Sequence, residues 1–167
     1  MIVAFRMSYA FTFHATPVFP RGFRCASRNV GLKPSARDLT LFASDVDAAA
    51  AAVFTRNHFP GAPIILGRET IKGGVLRAII ANSKVSNVAT GLRGVEHARR
   101  MAVAAATELG TDPNRVLVSS TGVIGVPLPM DKVEAGIGAA LAALGADGGA
   151  DAALAITTTD AAPKLAE

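Results

Sequence analysis

A single cysteine, Cys25, stands among 167 residues, so the chain holds neither an internal disulfide framework nor a cysteine-cluster zinc site. Tryptophan is absent, tyrosine occurs once and aromatic residues make up 5%, so the apolar half of the composition is mostly Ala, Val, Leu and Ile. No apolar run approaches the ~18–20 residues that a membrane span needs. Val75 to Ala81 is short and contains Arg77. Charged residues are few, at 18%, and the chain is too apolar for intrinsic disorder. These absences point to a soluble, globular, intracellular protein without a membrane partner. The length suits one domain or a piece of a larger one, and a chain of this size hides about 70% of its unfolded surface.

Acidic residues are missing from the start of the chain. Arg6, Arg21, Arg24, Arg28, Lys33 and Arg37 all precede the first acid, Asp38, and the remainder carries eleven basic against thirteen acidic residues. Such a start fits an organelle transit peptide or a nucleic-acid arm, or more simply a solvated extension and first strand. The basic residues stand singly between Gly and Pro and form no dense stripe, which argues against a nucleic-acid partner. Met1 to Phe13 is apolar with one Arg, Met7 offers an alternative start, and the small-residue cleavage pattern of a signal peptide is poor. Residues 1–19 therefore read as an N-terminal extension, and cytoplasm is the better compartment, with the mitochondrion left open.

Residues 14–38 are rich in Pro, Gly and basic side chains and read as loop with short extended pieces. Leu39 to Ser44 looks like a strand. Ala50 to Thr55 and Pro63 to Leu66 are further apolar segments, with Pro60-Gly61 as the turn between them. Val75 to Ala81 is the best strand candidate, β-branched and bounded by turn residues. Apolar residues at three- and four-residue steps predict a helix over Gly94 to Leu109, stopped by Gly110. A second helix is expected over Asp131 to Leu144, opened by a capping box of Asp131 and Glu134 and closed by Gly145. Between them lies VLVSSTGVIGVPLPM, a buried strand followed by a turn rich in small residues. Gly145 to Gly149 reads as a flexible connector before a short helix over Asp151 to Ile156. Strands first and helices later suggest a layered α+β domain.

Little in the sequence is an obvious catalytic set. His14, His58 and His97 lack metal spacing, and His97, beside Arg99 and Arg100, is expected on the wet face of its helix. There is no Gly-x-Ser-x-Gly elbow and no phosphate loop, and Cys25 has no activating partner. The informative segment is Ser119-Ser120-Thr121-Gly122-Val123-Ile124-Gly125. A strand ending this way brings backbone N–H groups and a hydroxyl to one point, where they act as an oxyanion hole or merely close a turn. Thr157-Thr158-Thr159-Asp160 is a second polar cluster, either a carboxylate or carbonyl site or a helix cap. Asn82-Ser83 through Asn87-Val88-Ala89-Thr90-Gly91 is a third, lining a polar site or satisfying a turn.

Taken in order, these segments resemble the ornithine acetyltransferase (glutamate N-acetyltransferase) family of arginine biosynthesis. The likeness runs from about Pro20 onward, through Arg21-Gly22-Phe23, Asp38-Leu39, Ala52-Val53-Phe54-Thr55, Asn87 to Gly91, Ser120 to Lys132 and Ile156 to Lys164. It implies that residues 20–167 are the N-terminal, α-chain part of a self-cleaving precursor. The implied fold is a layered α/β sandwich like that of N-terminal-nucleophile hydrolases, with its own topology. The implied chemistry is ping-pong transfer of acetyl from N-acetylornithine, in some members also from acetyl-CoA, to glutamate. It runs through a threonine at the N-terminus of a C-terminal β-chain. The assembly implied is a heterotetramer, and no cofactor or metal is called for. Carried over by position, Thr121 and Gly122 match the oxyanion-hole pair and Thr158 a substrate-binding position.

The nucleophilic threonine of the family lies beyond the Thr-Thr-Asp string, and the sequence ends at Glu167 before it. The chain by itself is therefore expected to be inactive. The family reads Asn-Ser-Gly-Asn-Ala-Asn where Lys84, Val85 and Ser86 intervene here, and Met-Thr-Thr-Asp-Thr where Thr157 and Ala161 stand. Such departures fit ordinary variation or a catalytically dead remnant that persists as a folded or partner-binding domain, which is the alternative reading. A related amidohydrolase or aminopeptidase is the third.

Overall fold

Alternating burial along the chain builds the sheet. In the computed structural model, which describes residues 20–164, Leu39, Leu41 and Ala43 of β2 (Leu39–Ala49) turn to one side with Ala78 and Ile80 of β3 (Val75–Asn82) and Val116 and Val118 of β4 (Val116–Ser120). The first strand, β1 (Phe23–Arg28), pairs antiparallel with β2, β2 pairs antiparallel with β3, and β3 runs parallel to β4, giving the order β1-β2-β3-β4. A parallel pair needs a long crossover. Here it is the helix α2 (Gly91–Leu109), whose Ala98, Met101, Ala102 and Ala105 cover the sheet together with Val133 and Ile137 of α3 (Met130–Leu141). At the edges, α1 (Ala62–Thr70) packs beside β4 and α4 (Gly149–Ile156) beside β1. The α+β layering expected from the element order is what the chain adopts.

On the opposite sheet face Phe23 and Ile79 are each more than a third exposed and, with Phe42, border an apolar groove of about 350 Å³. No described helix is long and apolar enough to cross a membrane.

Several local expectations change. The strand expected to stop at Ser44 continues to Ala49, past a register irregularity between Ala43 and Ala48. Ala50 to Thr55 does not enter the core, and Val53 is 99% exposed. Pro63 to Leu66 is the first turn of α1, since proline is tolerated where no intrahelical N–H bond is needed. The loop before β2 is held by the buried Asp38 carboxylate, which accepts from the backbone N–H groups of Val30, Leu32 and Lys33, each at 2.7 Å.

The second long helix starts at Met130 with Pro129 as its cap, so the expected capping box is not formed. Glu134 is drawn instead to Arg100 of α2, which donates to it through Nε at 2.7 Å and Nη2 at 2.6 Å. That bidentate bond holds the Glu134 carboxyl below its usual range. The helix ends at Leu141 rather than Leu144. Gly145 is not a free linker, because Cys25 and Gly145 exchange both backbone bonds, at 2.8 and 3.1 Å.

Candidate active site

The end of β4 continues into a turn that is tied to the segment after β3. The Thr121 amide donates to the Asn82 carbonyl at 3.0 Å, and the Val123 amide to the Lys84 carbonyl at 2.9 Å. The Ser86 amide and hydroxyl both donate to the Val123 carbonyl, at 3.0 and 2.8 Å. Ser120 Oγ donates to Asn82 Oδ1 at 2.6 Å, and Asn82 Nδ2 to the Val85 carbonyl at 2.8 Å. Gly122 sits at φ +132°, and a Cβ there would fall 2.2 Å from the Lys84 carbonyl carbon, so only glycine fits.

This wiring decides which donors remain. The Thr121 amide is spent inside the turn, whereas the Thr121 hydroxyl and the Gly122 N–H have no partner among the described residues. Both residues are exposed and line a cleft of about 580 Å³. The sequence reading of several amides meeting a hydroxyl is thereby narrowed to one amide and one hydroxyl.

The residues after α4 also line the cleft. Thr157 caps that helix, its hydroxyl donating to the Leu154 carbonyl at 2.7 Å, as the helix-cap reading of the threonine cluster holds for this residue. Thr158 and Thr159 are exposed and line the same cleft as Thr121 and Gly122. Two side-chain donors, Ser83 and Lys33, set this approach. Ser83 Oγ donates to the Ala155 carbonyl at 2.5 Å, and Lys33 Nζ donates to the Thr157 carbonyl at 2.7 Å and more weakly to those of Arg37 and Ala155, at 3.1 and 3.4 Å. The structure therefore brings Thr121, Gly122 and Thr158 together, although sequence leaves them in two distant clusters.

Two lysines on the cleft wall, Lys33 and Lys84, are not singled out as site residues by the sequence. Lys33 counts there only as part of a basic stretch, and Lys84 only as a departure from a family pattern. Burial holds the Lys33 ammonium below its usual range, Asp38 opposes that shift, and the neighbouring Lys84 charge adds to it.

The remaining candidates stay apart from the cleft. Asn87, buried, donates to the Gly94 carbonyl at 2.9 Å and accepts from Thr90 Oγ1 at 2.7 Å, so this part of the Asn-rich segment satisfies the turn into α2. His58 is exposed. His97 is not on the wet face: it shares the inner stripe of α2 with Gly94, Ala98 and Met101, at the three- and four-residue steps of one helix face. It is 5% exposed, its Nδ1 lacks a hydrogen-bond partner, and burial, then Arg93 and Arg100, push its pKa down. Cys25 is buried in β1, and burial, then Asp151, push its thiol up, which suits an inert side chain. No group of His, Cys, Asp and Glu among the described residues is placed to hold a metal ion. His14 and the expected extension over residues 1–19 lie outside the described residues.

Comparison with known proteins gives the family and the fold. The pattern of the ArgJ family matches residues 24–167. The arginine biosynthesis bifunctional protein ArgJ of Symbiobacterium thermophilum is 49% identical over 150 residues, covering 88% of this chain and 37% of that protein. The crystal structure of ornithine acetyltransferase from Mycobacterium tuberculosis, complexed with ornithine, superposes with a TM-score of 0.83 at 41% identity, over 86% of this chain and 79% of the solved one. The ArgJ crystal structure from Bacillus halodurans gives a TM-score of 0.80 at 35% identity, over 85% of this chain and 75% of that one. The chain spans somewhat more than a third of the length of the curated relatives it matches.

Proposed function

The chain belongs to the ArgJ family, and from that membership we propose that it supplies the oxyanion side of an acetyltransferase site. The reaction proposed is transfer of an acetyl group from N-acetylornithine to glutamate, in arginine biosynthesis. The observation that carries this reading is the pair of uncommitted donors, Thr121 Oγ and Gly122 N–H, on one cleft with Thr158.

In the proposed mechanism a terminal threonine of a companion β-chain attacks the acetyl carbonyl, its own α-amine taking the hydroxyl proton. Negative charge then develops on the carbonyl oxygen. The Thr121 hydroxyl and Gly122 amide donate to that oxygen, where fixed donors stabilise the transition state more than the planar substrate. Collapse expels the amine of ornithine, which takes the proton, and leaves an acetyl ester on the threonine. The α-amine of glutamate attacks that ester through the same oxyanion, giving N-acetylglutamate and the free threonine. Thr158, on the same cleft, orients the bound amino acid.

Two further facts support a companion chain. This chain covers 79% of the solved M. tuberculosis chain but only 37% of the S. thermophilum protein, a contrast that fits an enzyme assembled from separate chains. On one sheet face the apolar side chains of Phe23 and Ile79 are each more than a third exposed, as expected of a layer that packs on another. The reaction itself is supported by the relatives, a bifunctional arginine-biosynthesis protein and an ornithine acetyltransferase. A heterotetramer of two chain types is the assembly proposed.

The test is to purify the protein with whatever chain accompanies it and supply N-acetylornithine alone. The expected result is an acetylated terminal threonine, and parallel-line kinetics once glutamate is added. Release of free acetate with no transfer to glutamate would overturn the reading in favour of a hydrolase.

A further inference from the structure

The cleft is electrostatically one-sided. Its wall carries two lysines and no carboxylate. The two ammonium groups are not equivalent. Lys33 Nζ spends its three hydrogens on the carbonyls of Arg37, Ala155 and Thr157. The Lys84 ammonium has neither a carboxylate nor a hydrogen-bond partner among the described residues, and its side chain is exposed at the cleft.

Lys84 also sits in a backbone conformation that suits glycine, at φ +79°. It is locked there. Its carbonyl accepts from the Val123 amide at 2.9 Å and lies against the Gly122 α-carbon, so the Lys84 α-carbon is fixed relative to the Thr121–Gly122 turn. A lysine that served only to wet the surface has no need of so restrictive a position. Strained non-glycine residues of this kind gather at ligand-binding sites, where the surroundings hold them.

We propose that Lys84 is a specificity-determining residue of the cleft, its ammonium receiving the carboxylate of an amino-acid substrate bound beside Thr121 and Gly122. This rests on the reading of the cleft as an amino-acid acyltransferase site. Lysine meets the carboxylate as a point charge, while the hydroxyls of Thr158 and Thr159 stand on the same cleft to complete an anion's hydrogen bonds. A carboxylate that loses such a charged partner at a partly exposed site weakens in binding by about tenfold.

The experiment is isothermal titration of the protein, with its companion chain, by L-ornithine and by L-ornithine methyl ester, which lacks the negative charge. The wild type is expected to prefer the acid by about tenfold, Lys84→Gln to lose that preference with ester binding unchanged, and Lys84→Arg to restore it. A preference that survives in Lys84→Gln, or one absent from the wild type, overturns the proposal. So does binding of inorganic phosphate through Lys84 with no response to ornithine. Because the titration needs no acetyl transfer, a protein that binds through Lys84 yet moves no acetyl group sinks the acetyltransferase reading alone. One that transfers acetyl with Lys84→Gln unaltered sinks this inference alone.

Discussion

Lys33 Nζ donates to the Thr157 carbonyl at 2.7 Å, joining residues 124 positions apart in the chain. The bond ties the loop ahead of β2, itself held by Asp38, to the C-terminal end of α4, where a cation complements the negative end of the helix dipole. Thr158 follows directly and faces the cleft.

Replacing Lys33 by Met is therefore expected to release the residues after α4. Hydrogen exchange at the Thr158 and Thr159 amides should speed up, and stability should fall by about 1–2 kcal/mol, the scale of a lost charged hydrogen bond. Unchanged exchange at those two amides would show that the lysine does not position them.

Lys84→Gly is expected to act in the opposite direction. A non-glycine residue in the left-handed region gives up about 1–2 kcal/mol, and glycine returns part of this through its looser unfolded chain, leaving a net gain of about 0.5–1 kcal/mol. Urea denaturation reads the change directly. A variant more stable than the wild type that no longer prefers the free acid would show that Lys84 is kept for binding at the expense of stability. A destabilised variant would show that the position is not strained.

His97 gives the fold a pH dependence of known sign. Its folded pKa lies below the unfolded value, first through burial and then through Arg93 and Arg100, with Glu96 and Glu134 pulling the other way. The unfolded chain therefore binds the proton more readily, and stability is fully present above the ordinary histidine pKa of about 6.5. It is lost as pH falls from there toward the folded value. Thermal unfolding between pH 7.5 and 5 should show this decline. His97→Leu, which also removes the unpartnered Nδ1, should flatten it. An identical acid limb in the variant would assign the dependence to other groups.

The sequence is most legible where a local rule meets no long-range competitor. Gly110 ends α2 at φ +62°, in the left-handed conformation expected of a stop glycine, and the β-branched, turn-bounded segment Val75 to Ala81 forms β3. Legibility fails where tertiary partners intervene. Glu134 leaves its capping box for Arg100, a partner on another helix. His97 goes inside because the stripe of α2 requires it, although its charged neighbours suggest the wet face. The Thr121-Gly122 pair is visible in sequence as part of a string. That the Thr121 amide is already spent on Asn82, and that Lys33 and Lys84 stand on the same cleft, depends on contacts between residues far apart and on one positive φ.

In the proposed function the Thr121 hydroxyl and the Gly122 amide stabilise the oxyanion of acetyl transfer. The most direct measurement is single-turnover acetylation by N-acetylornithine in Thr121→Val and Thr121→Ser forms of the protein with its companion chain. Valine keeps the shape and removes the donor, and should slow acetylation by about 10²–10³-fold, while serine, which keeps the hydroxyl, should restore most of the rate. Valine as fast as the wild type would contradict the account.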